Sequence, residues 1–143
     1  MSTEQNKAAV RHFIENFNKK DVETLAQVFT DDYVLDFPGG PTGQGVEGIK
    51  QATAGFMAAF PDLHFTIDDL FAEGERVAWR WTMTGTHQGN LGPFPASGKP
   101  VTLSGISLFR LRDGKIVEDK VRADMVGLLQ QIGVIPAPGQ GGS

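Results

Sequence analysis

Residues 63–87 read LHFTIDDLFAEGERVAWRWTMTGTH. The Glu73-Gly74-Glu75 turn divides the stretch into two strands of a hairpin. Side chains of a strand alternate between its two faces. In the second strand one set is Val77, Trp79, Trp81 and Met83, and the other is Ala78, Arg80, Thr82 and Thr84. One face is apolar and the other polar. If the apolar face meets helices, it is core and Arg80 lies on the convex side of the sheet. If it faces outward, it is a large exposed patch that implies a partner.

The pattern extends in both directions. Downstream, Pro and Gly fill a long loop over 89–100. VTLSGISLFRL and KIVEDKVRAD are two further strands joined at Asp113-Gly114, a strong hairpin signal. MVGLLQQIG closes the pattern as a short helix ending at Gly133. Upstream, Val10, Phe13, Ile14 and Phe17 have helical spacing. Asp21 is a good N-cap, and Val22, Leu25, Ala26 and Phe29 repeat the spacing, so two short helices are expected to pair. A strand is expected over Tyr33–Phe37. A third helix is expected over Val46–Phe60, ended by Pro61. The order is α-α-β-α followed by four strands. That is an α+β domain with helices on one side of a mainly antiparallel sheet.

Composition narrows the function classes. The 143 residues suit one domain, expected over 1–136, with 137–143 as a flexible tail. The net charge of −4, without a Lys/Arg run, argues against nucleic acid as a partner. There is no cysteine, which excludes thiolate metal sites and a Cys nucleophile. No apolar run approaches the ~18 residues of a membrane span. MSTEQNKAAV lacks the order of a signal peptide, so a soluble cytoplasmic protein is expected. The three histidines, at 12, 64 and 87, have no metal-site spacing. Nucleotide-binding glycine motifs and the Gly-x-Ser-x-Gly elbow are absent, so neither metal nor cofactor is expected.

Three stretches carry a resemblance: AFPDLHFTIDDLFAEGERVAWRWTMTGTHQG (59–89), GPFPASGKPVTLSGISLFRLRDGKIVED (92–119) and GLLQQIGVIP (127–136). With the order of elements, they resemble the SnoaL-like branch of the nuclear-transport-factor-2-like superfamily, which includes the polyketide ester cyclases. The resemblance implies a cone, a sheet wrapped around a pocket beneath helices. It implies cofactor-free acid/base chemistry, with intramolecular aldol closure in the cyclases, or simple ligand binding on the same fold. It also implies a homodimer through the convex sheet face.

Asp119 is the first choice for general acid/base. It shares a strand face with Val117, Val121 and Ala123, where desolvation would raise its pKa. The family's cyclases usually show a His at the position of Asp119 and an Asp at that of Val121, so this chain departs at both. Arg80 is either an ion-paired surface residue or a cone-lining group that polarises a substrate oxygen. Related limonene-type epoxide hydrolases carry an Arg-x-Asp pair aligning with Arg80-Trp81-Thr82, and Thr82 lacks the carboxylate. The resemblance sets Arg80 inside the cone with Asp36 and Asp119, and Trp79 and Trp81 at a dimer interface. Asp36 would hold water or act as a base, unless it is satisfied by the turn amides of Gly39-Gly40. His64 is a second oxyanion candidate. Asp124 is either a helix N-cap or a carboxylate at the pocket mouth. The apolar walls are assigned to Phe13, Phe17, Phe29, Phe56, Phe60 and Leu103, with Phe94 on a covering loop.

Overall fold

The computed structural model describes residues 2–40 and 44–136; the expected tail over 137–143 lies outside them. Its elements are α1 (Thr3–Asn18), α2 (Val22–Ala26), β1 (Phe29–Asp36), α3 (Gly45–Ala59), β2 (His64–Glu73), β3 (Arg76–Thr86), β4 (Pro100–Arg112), β5 (Lys115–Ala123) and α4 (Met125–Gln131). One five-stranded sheet runs β1-β5-β4-β3-β2. The β1–β5 pair is parallel and the other pairs are antiparallel.

Each helix begins where the sequence supplies a cap or an apolar stripe. Ser2 and Gln5 form a capping box for α1. The Asp21 side chain accepts from the Thr24 amide and starts α2. α2 is one turn shorter than expected, and Phe29, read as its last apolar position, begins β1 instead. The spacing of Phe29 serves either element. Pairing with Ile116 of β5 decides for strand, because it gives the backbone a ladder partner.

β3 settles the orientation of the sheet. Val77, Trp79, Trp81 and Met83 are all buried, while Arg80 and Thr84 are exposed. The apolar face therefore looks under the helices, and the expected interface role of the two tryptophans is corrected. Burial of two indoles is among the largest apolar contributions one strand can make. Around them, Phe13 of α1 meets Phe17, Phe29 and Phe109 edge-on at 5.9, 5.6 and 5.5 Å.

Gly105 of β4 sits opposite Trp81 in the ladder. A Cβ there would lie 2.5 Å from Cζ2 of Trp81 and 2.9 Å from the Arg122 carbonyl. The missing side chain lets the indole lie flat against β4. Gly105→Ala is therefore expected to destabilise by about 1–3 kcal/mol, as overpacking does. Thermal unfolding checks this; an unchanged melting temperature would contradict it.

Candidate active site

A cavity of about 690 Å³, counting its solvent-open part, lies between α1, α3 and the concave sheet face. Its mainly apolar lining with a few polar groups is the profile of a small-molecule site. Phe13, Phe17, Phe29, Phe56 and Leu103 line it, as expected from the sequence. Aromatic rings make up more than half of the wall, with Tyr33, Phe65, Trp79 and Trp81 adding to the expected set. The polar exceptions are Asp119, Tyr33, Thr53 and Ser107, along with the indole nitrogens. Among the described residues, no Lys, Arg or His lines the cavity.

Asp119 is brought here by the alternation of β5. It is buried, and its Oδ1 has no hydrogen-bond partner among the described residues. Burial pushes the carboxyl up to about 8, and the Tyr33 hydroxyl offsets part of that rise. Burial, followed by the Asp119 charge, pushes the Tyr33 phenol up in turn, so Tyr33 remains a neutral donor. β1 supplies this tyrosine because Leu35 pairs with Asp119 across the parallel ladder and Tyr33 shares Leu35's face.

Two indole nitrogens add to the polar groups here. Trp81 Nε1 donates to Ser107 Oγ at 3.0 Å in a buried hydrogen bond. Trp79 Nε1 is buried without a partner among the described residues.

Several expected site residues lie elsewhere. Arg80 points to the convex face, where its Nε donates to Asp69 at 2.6 Å and its side chain is 54% exposed. A guanidinium outside the cone cannot polarise a ligand within it. The arrangement required for limonene-type epoxide hydrolysis is therefore not assembled. Asp36 shares the outward parity of Val34 and accepts from Arg122 at 3.2 Å. His64 is exposed at the start of β2, opposite Thr84. Asp124 caps α4 by accepting from the Gly127 amide at 2.9 Å. Phe60 is fully buried against Phe56 and His87, away from the cavity wall. Phe94 and Leu91 form a small bridge of their own and pack on the core without lining the cavity. Tyr33 and Ser107 had no place in the expected site. The alternation of Tyr33, Leu35 and Phe37, greasier than Val34 and Asp36, was the available signal for the first.

Comparison with known proteins supplies a family. The model described as SnoaL-like polyketide cyclase matches residues 7–132. Aklanonic acid methyl ester cyclase DnrD of Streptomyces peucetius is 28% identical over 129 residues, spanning 87% of this chain and 88% of that protein. The crystal structure of IdmH from Streptomyces antibioticus, a candidate polyketide cyclase, superposes with a TM-score of 0.77 at 31% identity, over 90% of this chain and 99% of that one. AclR of Streptomyces galilaeus, a candidate hydroxylase, superposes with a TM-score of 0.83 at 28% identity, over 95% of this chain and 85% of that one. The fold is the nuclear-transport-factor-2-like cone, shared with proteins of the ketosteroid isomerase-like fold.

The buried acid has a thermodynamic signature. Its pKa stands near 8 folded against an ordinary value of 3.8. Between those pH values the folded chain binds more protons than the unfolded one, so this group subtracts stability as pH rises. The loss begins above the lower value and is complete above the higher one. Asp119→Asn keeps the shape and removes the titration. It is expected to melt above the parent, with the gap widening from pH 4 to about pH 8. A constant gap in calorimetry across that range would contradict this.

Proposed function

The chain belongs to the SnoaL-like polyketide cyclase family, and on that premise we propose that it catalyses a cofactor-independent, intramolecular aldol closure. The substrate is a hydrophobic, oxygenated, polyketide-like molecule with an enolisable carbonyl. Asp119 acts as the general acid/base. The observation that carries this reading is a buried carboxyl whose Oδ1 has no partner, in an aromatic cavity that no Lys, Arg or His lines among the described residues.

The chemistry follows from the position of that carboxyl. Its ionised form removes a proton from the carbon next to a carbonyl. The C–H electron pair becomes an enolate, which attacks a second carbonyl of the same molecule and forms the new C–C bond. The resulting alkoxide takes the proton back from Asp119, and the carboxylate is restored. A carboxyl lifted into the neutral range suits both halves of this cycle, since proton transfer is most effective when the catalyst's pKa lies near the working pH. Apolar walls keep water from the enolate and hold the flexible chain in a folded conformation.

The relatives named for aklanonic acid methyl ester suggest the test. Polyketide-type methyl esters, including that one, are incubated with the protein and closure is followed by chromatography and mass spectrometry. The expected kcat/KM rises with pH and levels off above about 8. Asp119→Asn should lose about 10²–10⁴-fold. Tight binding of such esters with no turnover would instead favour a ligand-binding member of the fold, and full activity in Asp119→Asn would overturn Asp119 as the acid/base.

The assembly proposed here is a cytoplasmic homodimer through the convex sheet face. Ile106 and Phe71 stand 52% and 62% exposed on the chain by itself. Ala78 and Leu108 lie in the same outer surface, ringed by ion pairs such as Arg80–Asp69. Apolar positions inside a polar rim are the anatomy of an interface. In sedimentation velocity the parent should run as a dimer and Ile106→Glu as a monomer. A monomeric parent at micromolar concentration would overturn the arrangement.

A further inference from the structure

An enolate formed at Asp119 needs a donor for its oxygen, and the arginine and histidine expected for that role lie outside the cavity. We infer that the Ser107 hydroxyl is that donor, held and polarised by the Trp81 indole, so that β4 supplies the oxyanion contact and β5 the acid/base. The inference rests on the acid/base reading of Asp119 given above.

Ser107 is 2% exposed and lines the cavity. Its oxygen accepts from Trp81 Nε1 at 3.0 Å. Among the described residues its own proton has no protein acceptor; that indole is its one hydrogen-bond partner. A buried hydroxyl does not leave a donor idle without cost, and the open direction is the cavity. Accepting a hydrogen bond makes an oxygen a poorer nucleophile and its O–H a better donor. The same contact therefore argues against Ser107 as an attacking group and for it as an anion-stabilising one. Trp81 can reach it because Gly105, two residues earlier on the same strand face, leaves room for the ring.

The ladder sets the separation. Ser107 pairs with Val121, and Asp119 lies two residues before Val121 on the same face of β5. Diagonal neighbours of this kind stand about 7–8 Å apart. A ketone bridges that gap when its α-carbon lies about 3–3.5 Å from the carboxylate and its oxygen about 2.7–3.1 Å from the hydroxyl. In the step, the α C–H bond breaks, the proton goes to Asp119, and the carbonyl π pair moves onto oxygen. Ser107 keeps its proton and shares it with the new oxyanion by hydrogen bonding.

The test uses 2-tetralone, a neutral bicyclic ketone, whose α-deuteration in D₂O is followed by proton NMR, on protein whose fold is checked by near-UV circular dichroism. Ser107→Ala is expected to lower kcat by about 10²-fold, with KM changed little. It should weaken binding of 2-naphthol, which presents an enol-like oxygen, in the same direction. Ser107→Cys keeps the size with a weak S–H donor, so it should fall nearly as far while folding as the parent does; it carries the test if the alanine variant unfolds. Trp81→Phe, which leaves the hydroxyl in place without its polarising partner, should show a smaller loss in kcat. Ser107→Ala or Ser107→Cys at parental kcat, with Asp119→Asn inactive, would overturn the donor and leave the base standing. Asp119→Asn at parental rate, or no exchange by the parent protein, would overturn both.

Discussion

Keeping a carboxyl group away from water and from every cation is what the rest of this structure is arranged around. An ionised Asp119 in its aromatic cavity would meet a large desolvation penalty, and the carboxyl responds by holding its proton up to about pH 8. The neighbours allow this to persist without neutralising it. Tyr33 offers a hydroxyl and not a charge, and Ser107 hands its acceptor capacity to Trp81. A basic side chain on the wall would have paired with Asp119 and pulled its pKa down. The fold thus gives up stability at one position, as the proposed acid/base role would require.

The remaining charges are sorted to match. Arg80 pairs with Asp69, Arg122 with Asp36 and Arg112 with Asp32, all on exposed surfaces. Such pairs contribute little each, about 0–1 kcal/mol. Their value to the site is negative space, because each cation bound outside is a cation absent from the cavity. The large apolar contribution comes from the interior face. There, Trp79 stacks on Phe109 at 6.1 Å, and Phe65 packs against both tryptophans. These contacts fix the concave surface from which Asp119 and Ser107 project, one strand apart.

Much of the architecture was legible in the residues. Period-two alternation marks β3 and β5, Asp113-Gly114 marks their hairpin neighbour, and Asp21 and Pro61 bracket helices where they occur. Asp119 was legible too, because an acid among valines on one strand face has few places to point. What failed was the placement of Arg80 and Asp36. The resemblance to epoxide hydrolases pulled both inward against the simpler rule that the greasier set of a strand goes to the core, which Val77, Trp79, Trp81 and Met83 obey. Phe29 fits a helix stripe and a strand equally, so its element depends on a partner 87 residues away at Ile116. Phe60 and Phe94 are apolar enough for any wall, and composition does not distinguish a cavity from solid core. Ser107 carries no motif. Its interest comes from an indole 26 residues distant and a register across β4 and β5, both properties of the assembled sheet.

The state of one carboxyl carbon decides the matter most directly. With the protein labelled at its aspartate side chains with carbon-13, and Asp119→Asn used to assign the resonance, the Asp119 signal should titrate with a midpoint near 8, far from the other aspartates. A midpoint near the ~3.9 of an ordinary aspartate would mean that water or a cation reaches this group, and that the cavity does not hold the acid/base described here.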